Sequence, residues 1–302
     1  MEITVFQQKI TDIISDITVK YNEPLSRHTS FRIGGPAEVM AFPKTAEELS
    51  RLLKASKILD CKCTILGAGT NVLAPDAGVE GLVICLKDCL DGIQVLPGHR
   101  IRVAGGVTMS RAAVFAAGQG LSGMEFAHGI PGTVGGGVYM NAGAYGGEIV
   151  QICESVEVMS LDGTVKIYTC EEMEFSYRHS RLEEEGGIVI SAVFALQPGQ
   201  ESEIREQMRT LMQKRSASQP LDLPSAGSAF KRPVGGFAAA MIDQAGLKGF
   251  RVGDAAVSEK HAGFVVNLGN ATAADVLSLL EQVSDRVFED TGIRLEPEVR
   301  IW

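Results

Sequence analysis

The stretch HGIPGTVGGGVYMNAGAYGGEI, residues 128–149, says more about the fold than any other part of the sequence. It contains eight glycines, namely Gly129, Gly132, Gly135, Gly136, Gly137, Gly143, Gly146 and Gly147. Glycine loses more backbone freedom on folding than any other residue, so such a run is costly to order. Bulged turns would account for only a few of these glycines. Close approach of the backbone to a large, flat, phosphate-bearing ligand accounts for more, and the stretch therefore predicts a ligand-binding segment.

A second glycine turn, ILGAGTNVL, occupies residues 65–73 and follows a short predicted strand. Val72 stands where a dinucleotide fingerprint needs a third small residue, and the chain has no Walker A motif. Backbone N–H groups that no side chain covers can nevertheless wrap an anion. A tight turn that needs a positive φ is the alternative explanation. Taken alone, this turn leaves both interpretations open.

Composition and charge narrow the class of protein. The 302 residues, 45% of them hydrophobic, are enough for about two or three ordinary domains. A net charge of −9 argues against a nucleic-acid partner. No apolar run reaches the length of a membrane span, so we expect no membrane partner. The first residues have an early acid and no basic region, which predicts no signal peptide and a cytoplasmic location.

The six cysteines and five histidines do not have metal-ligand spacing. Cys61 and Cys63 are too close in sequence for a Cys-x-x-Cys pair, and no histidine cluster follows Cys85 and Cys89. We therefore predict no metal site and reduced, mostly buried cysteines.

Local patterns predict an α+β chain. Thr45 and Glu48 form a capping box before an apolar stripe, and a second helix starts after Thr108. Asp162-Gly163 marks the turn of a β-hairpin, and a long helix begins at Thr272. The composition changes near Pro198 and Gly199, which indicates a domain boundary there.

The loop PSAGSAFKRP, residues 224–233, presents Ser228 among small residues and close to Lys231 and Arg232. Phe230 stands where a nucleophile elbow needs glycine, and the lysine has no Walker spacing. A serine in such a loop is often only a turn residue. The chemical alternative is a serine that a substrate approaches closely and that donates a proton to a strongly basic carbon.

Five motifs together carry a family resemblance. The segments ILGAGTNVL, GIPGTVGGGVYMNAGAYG, YRHS, GSAFKRP and LEPEVR occur in this order. The chain from about residue 25 to 302 resembles the UDP-N-acetylenolpyruvoylglucosamine reductases of peptidoglycan precursor synthesis, and the short connection after YRHS is similar to their shorter type II branch. The motif GIPGTVGG alone is shared with many other flavoenzymes of the same FAD-binding fold.

The resemblance implies a fold and a domain division. The implied fold class is α+β, with a two-part FAD-binding domain of the PCMH/vanillyl-alcohol-oxidase type followed by a C-terminal α+β substrate-binding domain. We predict FAD-binding subdomain 1 in residues 1–65, FAD-binding subdomain 2 in residues 66–198 and the substrate-binding domain in residues 199–302.

The resemblance also implies the cofactor contacts. Non-covalently bound FAD would have its pyrophosphate held by backbone amides of two glycine loops, with the last four residues of the second loop near the isoalloxazine ring. The implied contacts are Gly67, Ala68, Gly69, Thr70, Asn71, Ile130, Pro131, Gly132, Thr133, Gly135, Gly136, Asn141, Ala142, Gly143 and Ala144.

The implied reaction reduces UDP-N-acetylglucosamine enolpyruvate to UDP-N-acetylmuramate, with NADPH as co-substrate. Hydride would pass from reduced flavin to C3 of the enolpyruvyl group, and Ser228 would donate the proton to C2. Arg178, in YRHS, and Glu298, in EPEV, would stabilise the developing enolate-like charge. Because Glu298 must not repel that charge, we expect it to be protonated or hydrogen-bonded through water.

Substrate contacts follow less directly. Tyr145, Lys231 and Arg232 are the candidates, since positive charge suits a diphosphate. Arg232 replaces the asparagine of the longer branch, so that asparagine's role is not carried over. We expect His261 to be a structural residue or part of the substrate wall, and we expect a monomer, although no motif bears on oligomeric state or on the preference for NADPH over NADH.

Two rival functions remain at this stage. The first is another flavin oxidase or dehydrogenase of the same fold, in which His128, just before the glycine loop, would be a candidate for a covalent flavin link. The second is a non-catalytic nucleotide-sugar binder. A protein of that kind would be expected to lack Ser228, Arg178 or Glu298, and this sequence has all three.

Overall fold

The computed structural model of the chain describes residues 4–87 and 89–302. The described residues form two compact units, each made of chain segments that are not contiguous. Unit 1 comprises the described part of Met1–Tyr21, Val39–Ala68 and Gly81–Lys214, and unit 2 comprises Asn22–Glu38, Gly69–Glu80 and Arg215–Trp302. The three-domain division expected from the sequence stays a prediction, since these two units do not correspond to it one to one.

The α-helices of the described residues are α1 (Val5–Ile13), α2 (Ala46–Ile58), α3 (Met109–Gly118), α4 (Val134–Tyr139), α5 (Leu182–Glu185), α6 (Glu201–Ser218), α7 (Ala238–Gln244) and α8 (Ala273–Thr291). Short 3₁₀ helices cover Leu25–Arg27, Glu125–Gly129 and Ile149–Gln151.

The strands are β1 (Thr18–Pro24), β2 (Pro36–Phe42), β3 (Cys63–Leu66), β4 (Val72–Leu73), β5 (Val79–Cys85), β6 (Ile93–Leu96), β7 (Arg100–Ala104), β8 (Leu121–Ser122), β9 (Gly143–Ala144), β10 (Gly147–Glu148), β11 (Cys153–Met159), β12 (Val165–Thr169), β13 (Ile188–Ala195), β14 (Gln197–Pro198), β15 (Ser225–Ser228), β16 (Arg251–Val252), β17 (Ala255–Val257), β18 (Phe264–Asn267) and β19 (Arg300–Ile301).

The first apolar core of unit 1 lies under a four-stranded sheet with the order β1-β2-β5-β3. Helix α2 packs its apolar stripe, Leu49, Leu52 and Leu53, into this core. The predicted capping box is confirmed in one of its two hydrogen bonds, since the Thr45 side chain accepts from the Glu48 N–H at 3.2 Å. The Glu48 carboxylate accepts a hydrogen bond from the N–H of Lys44.

The second core of unit 1 is built on an antiparallel sheet of five strands, in the order β12-β11-β13-β7-β6. The predicted hairpin is confirmed as β11 and β12, and Gly163 has a φ of +87° at its turn. Helix α6 buries Ile204 and Met208 in the same core. Although the composition changes at Pro198, the chain therefore stays in unit 1 through most of α6.

Unit 2 has its own sheet, with the order β15-β18-β17-β16, covered by α8. The predicted start of α8 is confirmed, since Thr272 forms a capping box with Asp275. The apolar residues that recur along this helix at helical spacing are all buried, namely Val276, Leu279, Leu280, Val283 and Val287.

The segment Gly69–Glu80 is joined to distant parts of unit 2 at two points, Val72 and Asp76. Strand β4 pairs in parallel with β19, Arg300 opposite Val72. The Asp76 carboxylate accepts hydrogen bonds from the N–H groups of Ala273 and Ala274, at 2.7 and 3.0 Å. These are the first residues of α8, whose N–H groups have no partner inside the helix.

Within the described residues, the helices lack the combination of length and apolarity that crossing a bilayer requires.

Candidate active site

Two backbone turns of unit 1 pair with each other and fix the main glycine segment. Thr108 and Thr133 form an antiparallel bridge. Around it, the N–H of Gly135 donates to the carbonyl of Gly105 at 2.8 Å, and the N–H of Val134 donates to the carbonyl of Val107 at 2.8 Å. The start of α4 is therefore held against the turn between β7 and α3.

Gly105 and Gly106 make this pairing possible, and neither is among the site residues predicted from the sequence. A Cβ atom on Gly105 would overlap the carbonyl oxygen of Val189, and one on Gly106 would overlap that of Cys89. Their sequence signal is the pair of adjacent glycines in VAGGV at the end of β7, where a close backbone approach is the usual reason for glycine.

Four of the eight glycines in residues 128–149 are required by packing within the protein. A Cβ atom would lie 3.0 Å from the Gly105 oxygen at Gly135, 2.7 Å from Met109 Sδ at Gly137, 2.6 Å from Glu148 Cγ at Gly143, and 2.5 Å from Phe126 Cγ at Gly147. The expectation that a ligand accounts for most of these glycines is therefore too broad. Internal close packing accounts for half of them.

Space remains at Gly146, where a Cβ atom would meet no other atom within 4 Å, and at Gly67 and Gly136. A Cβ atom on Gly67 would be 3.4 Å from Thr133 Oγ1, and one on Gly136 would be 3.7 Å from the same atom, which are ordinary contact distances. Thr133 is buried, and its hydroxyl accepts a hydrogen bond from the Gly136 N–H at 3.3 Å. Gly67, Thr133 and Gly136 therefore form a small-residue surface of unit 1 that a ligand can approach without displacing a side chain.

The side chain of Asn141 forms hydrogen bonds inside the protein, at the turn after α4. The residue is buried, and its φ of +41° is one that asparagine tolerates better than most residues. Its Nδ2 donates to the Ser176 carbonyl at 2.9 Å, and its Oδ1 accepts from the Val150 N–H at 3.0 Å. The Asn141 side chain thus ties the predicted isoalloxazine-side loop to the chain that carries Arg178.

Arg178 stands on a tight turn of unit 1 with a φ of +57°. Its guanidinium lies 5.0 Å from the centre of the Tyr177 ring, and its Nη2 donates to the carbonyl of Gly143 at 3.3 Å. The turn is closed by a bridge between Ser176 and His179. The structure therefore brings Arg178 next to Gly143, which belongs to the predicted cofactor contacts.

His179 follows Arg178 and faces a carboxylate. Its Nε2 lies 2.7 Å from Glu184 Oε1. Hydrogen bonding to Glu184 raises the pKa of His179 above its ordinary value, because the carboxylate favours the imidazolium form.

Gly69, Thr70 and Asn71 belong to unit 2, whereas Gly67 and Ala68 belong to unit 1. Gly69 has a φ of +65°, and a Cβ atom there would overlap the carbonyl oxygen of His28. The carbonyl of Gly69 accepts the N–H of Ser30 at 2.9 Å. The positive φ expected for this glycine turn is confirmed, and the turn is packed against the segment around Ser30.

Ser228 and Glu298 lie on neighbouring segments of unit 2. Ser228 ends β15 opposite Phe264, with its side chain exposed. The next residue, Ala229, donates its N–H to the Gly263 carbonyl at 2.8 Å and accepts the N–H of Glu298 at 2.9 Å. Glu298 therefore runs beside the residue that follows Ser228, on an adjacent extended segment.

The substrate candidates differ in their surroundings. Lys231 Nζ lies 3.6 Å from Glu296 Oε2, so the Glu296 carboxylate faces the charge of Lys231. The Arg232 guanidinium lies 4.3 Å from the centre of the exposed Phe237 ring. In unit 1, Tyr145 has a φ of +53° and is 47% exposed.

His261 supports the turn before β18. Its Nδ1 accepts a hydrogen bond from the Gly263 N–H at 3.1 Å, and its ring packs edge-on against Phe264. Burial lowers the pKa of His261, since desolvation disfavours the imidazolium form. This agrees with the expected structural role, because Gly263 and Phe264 are the partners of the Ser228 segment.

Across residues 4–87 and 89–302, no three His, Cys, Asp or Glu side chains are gathered in a way that could hold a metal ion. Desolvation raises the pKa of the Cys153 thiol to about 12 and that of the Cys89 thiol to about 11. These thiols are therefore poor nucleophiles at neutral pH.

Known protein families match two parts of the chain, and whole reductases match nearly all of it. Residues 219–302 match the family described as UDP-N-acetylenolpyruvoylglucosamine reductase, C-terminal domain, and residues 37–168 match the family described as FAD binding domain. The reductase of Lactococcus lactis subsp. cremoris is 45% identical over 295 residues, which covers 97% of this chain and 98% of that protein. The reductase of Lactobacillus acidophilus is 47% identical over 285 residues, or 94% of this chain and 95% of that protein.

Solved structures agree. The crystal structure of UDP-N-acetylenolpyruvylglucosamine reductase from Thermus caldophilus superposes with a TM-score of 0.78 at 37% identity, covering 95% of this chain and 99% of that chain. Alkyldihydroxyacetonephosphate synthase, at 15% identity and a TM-score of 0.50 over 65% of this chain and 41% of that chain, shares the fold alone. The chain belongs to the family of UDP-N-acetylenolpyruvoylglucosamine reductases and is an FAD-dependent oxidoreductase.

Proposed function

We propose that the chain reduces the enolpyruvyl ether of UDP-N-acetylglucosamine enolpyruvate to UDP-N-acetylmuramate, an early step of peptidoglycan precursor synthesis, with NADPH as the reductant. The observation that carries the proposal is the backbone hydrogen bond from the Glu298 N–H to the Ala229 carbonyl, at 2.9 Å. It joins Glu298 of the EPEV motif to Ala229, the residue after the serine of the GSAFKRP motif, which supports a shared catalytic role.

FAD fits the residues of the glycine loops. The small surface of Gly67, Thr133 and Gly136 leaves room for a pyrophosphate against backbone, and the loop of Asn141 and Gly143 would line the isoalloxazine ring. When bound, FAD supplies the hydride that the substrate carbon C3 receives. The protein holds the reacting atoms in place and handles charge and protons.

Ser228 is the proposed proton donor to C2. Its side chain is exposed at the end of β15, with small residues around it and no Cβ at Gly227. A serine hydroxyl is a very weak acid. It is nevertheless adequate here, because hydride addition to C3 leaves a strongly basic enolate-like carbon at C2.

Arg178 and Glu298 are the proposed stabilisers of that charge. A guanidinium held by the Gly143 carbonyl and the Tyr177 ring is oriented before the reaction, so it stabilises developing carboxylate charge without reorganising. Glu298, which is half-buried, would support protonation at C2 together with Ser228.

The test separates the two halves of the reaction. The purified protein should show a flavin spectrum, and anaerobic NADPH should bleach it. Adding UDP-N-acetylglucosamine enolpyruvate should restore the oxidised spectrum, whereas UDP-N-acetylglucosamine should not. A colourless protein that binds no FAD, or a bleached protein that this substrate does not reoxidise, would contradict the proposed function.

The variant Ser228→Ala sharpens the test. We expect it to bind FAD and to be bleached by NADPH at the wild-type rate, while reoxidation by the enolpyruvyl substrate falls by about 10²- to 10⁴-fold, the range for losing a general acid. Ser225→Ala, at the other end of β15, is the matched control and should leave both rates unchanged. Equal losses of bleaching and reoxidation in Ser228→Ala would refute the proton-donor role.

We propose that FAD is bound without a covalent link. His128, the candidate for such a link, has its Nδ1 3.2 Å from Ser110 Oγ. Acid or heat should release all of the flavin from the precipitated protein, and yellow colour retained in the precipitate would show a covalent link. The monomeric state and the cytoplasmic location stay predictions, the first of which light scattering measures directly.

A further inference from the structure

We propose that the side chain of Asn71 positions Glu298 for its part in the reaction. The inference rests on the proposed function, and it gives Asn71 a role other than the cofactor contact that the resemblance implies. In it, Asn71 is a positioning residue that acts through Glu298 and touches neither flavin nor substrate for this purpose.

The geometry begins with the two backbone groups of Glu298. Its N–H donates to the Ala229 carbonyl at 2.9 Å, and its carbonyl oxygen accepts from Asn71 Nδ2 at 3.3 Å. A carbonyl oxygen can only accept, so the amide of Asn71 must turn its NH₂ group towards Glu298. The backbone of Glu298 is therefore held from both sides, once by the Ser228 segment and once by the Asn71 side chain.

The donor itself is fixed. The carbonyl of Asn71 accepts the N–H of Arg300 at 3.0 Å, and Val72 pairs with Arg300 in the parallel ladder of β4 and β19. Asp76, later in the same segment, is bonded to the N–H groups that begin α8. Asn71 is thus held by main-chain bonds independent of its side chain, and it can serve as a fixed reference point for Glu298.

The consequence concerns the Glu298 carboxylate. Glu298 and Val299 lie between the bridge at Pro297 and the strand at Arg300, so this short stretch has no ladder of its own. The Asn71 side chain bridges that gap. Without it, the Glu298 peptide would lose a bond on the side opposite Ser228, and the carboxylate it carries could shift. A displacement of about 1 Å at a reacting group can cost about 100-fold in rate.

The experiment compares Asn71→Ala and Asn71→Asp with the wild-type holoenzyme. Asn71→Asp keeps the shape of the side chain but points an oxygen at the Glu298 carbonyl, so it tests the donor even if Asn71→Ala is poorly folded. The FAD contact that the resemblance implies for Asn71 is made by its backbone, which these substitutions leave in place. We therefore expect both variants to retain FAD and to be bleached by NADPH within about twofold of wild type. Reoxidation by UDP-N-acetylglucosamine enolpyruvate should slow by about 10- to 100-fold.

A double-mutant cycle excludes a merely structural role. Asn71→Ala in a Glu298→Ala background should cause little further loss of reoxidation, because the residue to be positioned is already missing. Asn270→Ala removes a similar amide from an exposed turn of unit 2 and is the matched control.

Two outcomes would overturn the proposal. One is loss of FAD affinity and of both half-reactions in the Asn71 variants, which would make Asn71 a cofactor ligand. The other is a double variant whose reoxidation rate falls by the product of the two single-variant factors, which would show that Asn71 and Glu298 act independently. A wild-type enzyme that the enolpyruvyl substrate does not reoxidise would instead refute the proposed function, so the two failures are distinguishable.

Discussion

Two sets of glycines serve opposite needs, the crowded Gly135, Gly137, Gly143 and Gly147 on one side and the open Gly227 and Gly235 on the other. In the first set, Cβ atoms on Gly137 and Gly147 would lie 2.7 Å from Met109 Sδ and 2.5 Å from Phe126 Cγ, respectively. In the second, Gly227 and Gly235 have φ values of +80° and +86°, and a Cβ atom on either would meet no other atom within 4 Å. The first set is required by close packing, the second by backbone conformation.

This difference shows that glycine density alone does not locate a binding surface. A crowded glycine permits two parts of the protein to touch, and it tolerates no side chain. An open glycine sets the path of the chain and leaves space beside it. In this protein the open Gly227 directly precedes Ser228, whereas the crowded Gly135 lets the start of α4 bond to Gly105.

The largest effect should follow Gly147→Ala, which tests the crowded segment. The new methyl group would overlap the ring of Phe126, which is buried. We expect the free energy of unfolding to fall by about 3 kcal/mol, at the upper end for overpacking, with loss of bound flavin. Urea denaturation and the flavin content of the purified protein measure these effects.

The matched test of that cause is the double variant Gly147→Ala/Phe126→Leu. Because leucine is smaller than phenylalanine, it should relieve the overlap, and the double variant should be more stable than the sum of the single losses predicts. Strict additivity of the two losses would show that the Phe126 ring is not the reason for glycine at position 147.

A smaller effect is expected from Gly227→Ala in the open segment. The methyl group meets no atom, so only the positive φ is strained, at about 1–2 kcal/mol of unfolding free energy. Flavin content should be unchanged. Gly227→Asn is the control, since asparagine tolerates this backbone region better and should cost less. A loss in Gly227→Ala as large as that of Gly147→Ala would erase the distinction between the two segments.

The smallest effects concern two histidines whose pKa values shift in opposite directions. The pKa of His261 is lowered by burial, so its contribution to stability is present above about pH 6.5 and is lost as the pH falls through its folded value. The pKa of His179 is raised by Glu184, so its contribution is present below about pH 6.5 and is lost as the pH rises through its folded value.

Urea unfolding between pH 5 and 8 separates the two histidines. His261→Asn keeps an acceptor near the Gly263 N–H and should reduce the loss of stability on acidification. His179→Asn should lower stability at pH 5 and leave it unchanged at pH 8. If the free energy of unfolding changed with pH in the same way in both variants, the opposite pKa shifts of the two histidines would be contradicted.

The sequence was sufficient for features that depend on local chemistry. The caps at Thr45 and Thr272 and the hairpin turn at Gly163 follow from residues a few positions apart, and the structure confirms each of them. The family and its FAD-binding fold also followed, because several motifs occurred together in one order.

The sequence was insufficient where partners lie far apart along the chain. The residues around Gly105 do not indicate that its carbonyl accepts the N–H of Gly135. The residues around Asp76 do not indicate that its carboxylate binds the start of α8. The apolar face of α6 likewise does not say which core it joins, and Pro198 only marked a change in composition. Such pairings depend on the folded path of the chain, which local propensity does not encode.

The discontinuous build of unit 2 has a consequence for synthesis on the ribosome. Asn71 is made 227 residues before Glu298, whose carbonyl its side chain binds. At about 5–20 residues per second, the segment Gly69–Glu80 waits about 10–45 s for its partners to be synthesised. Asp76 cannot bind the start of α8 until residue 273 is made, and the edge of β4 cannot pair with β19 until residue 300 is made. Unit 2 therefore cannot complete its folding while the nascent chain is still short of residue 298, and a chaperone that shields this segment would act in that window.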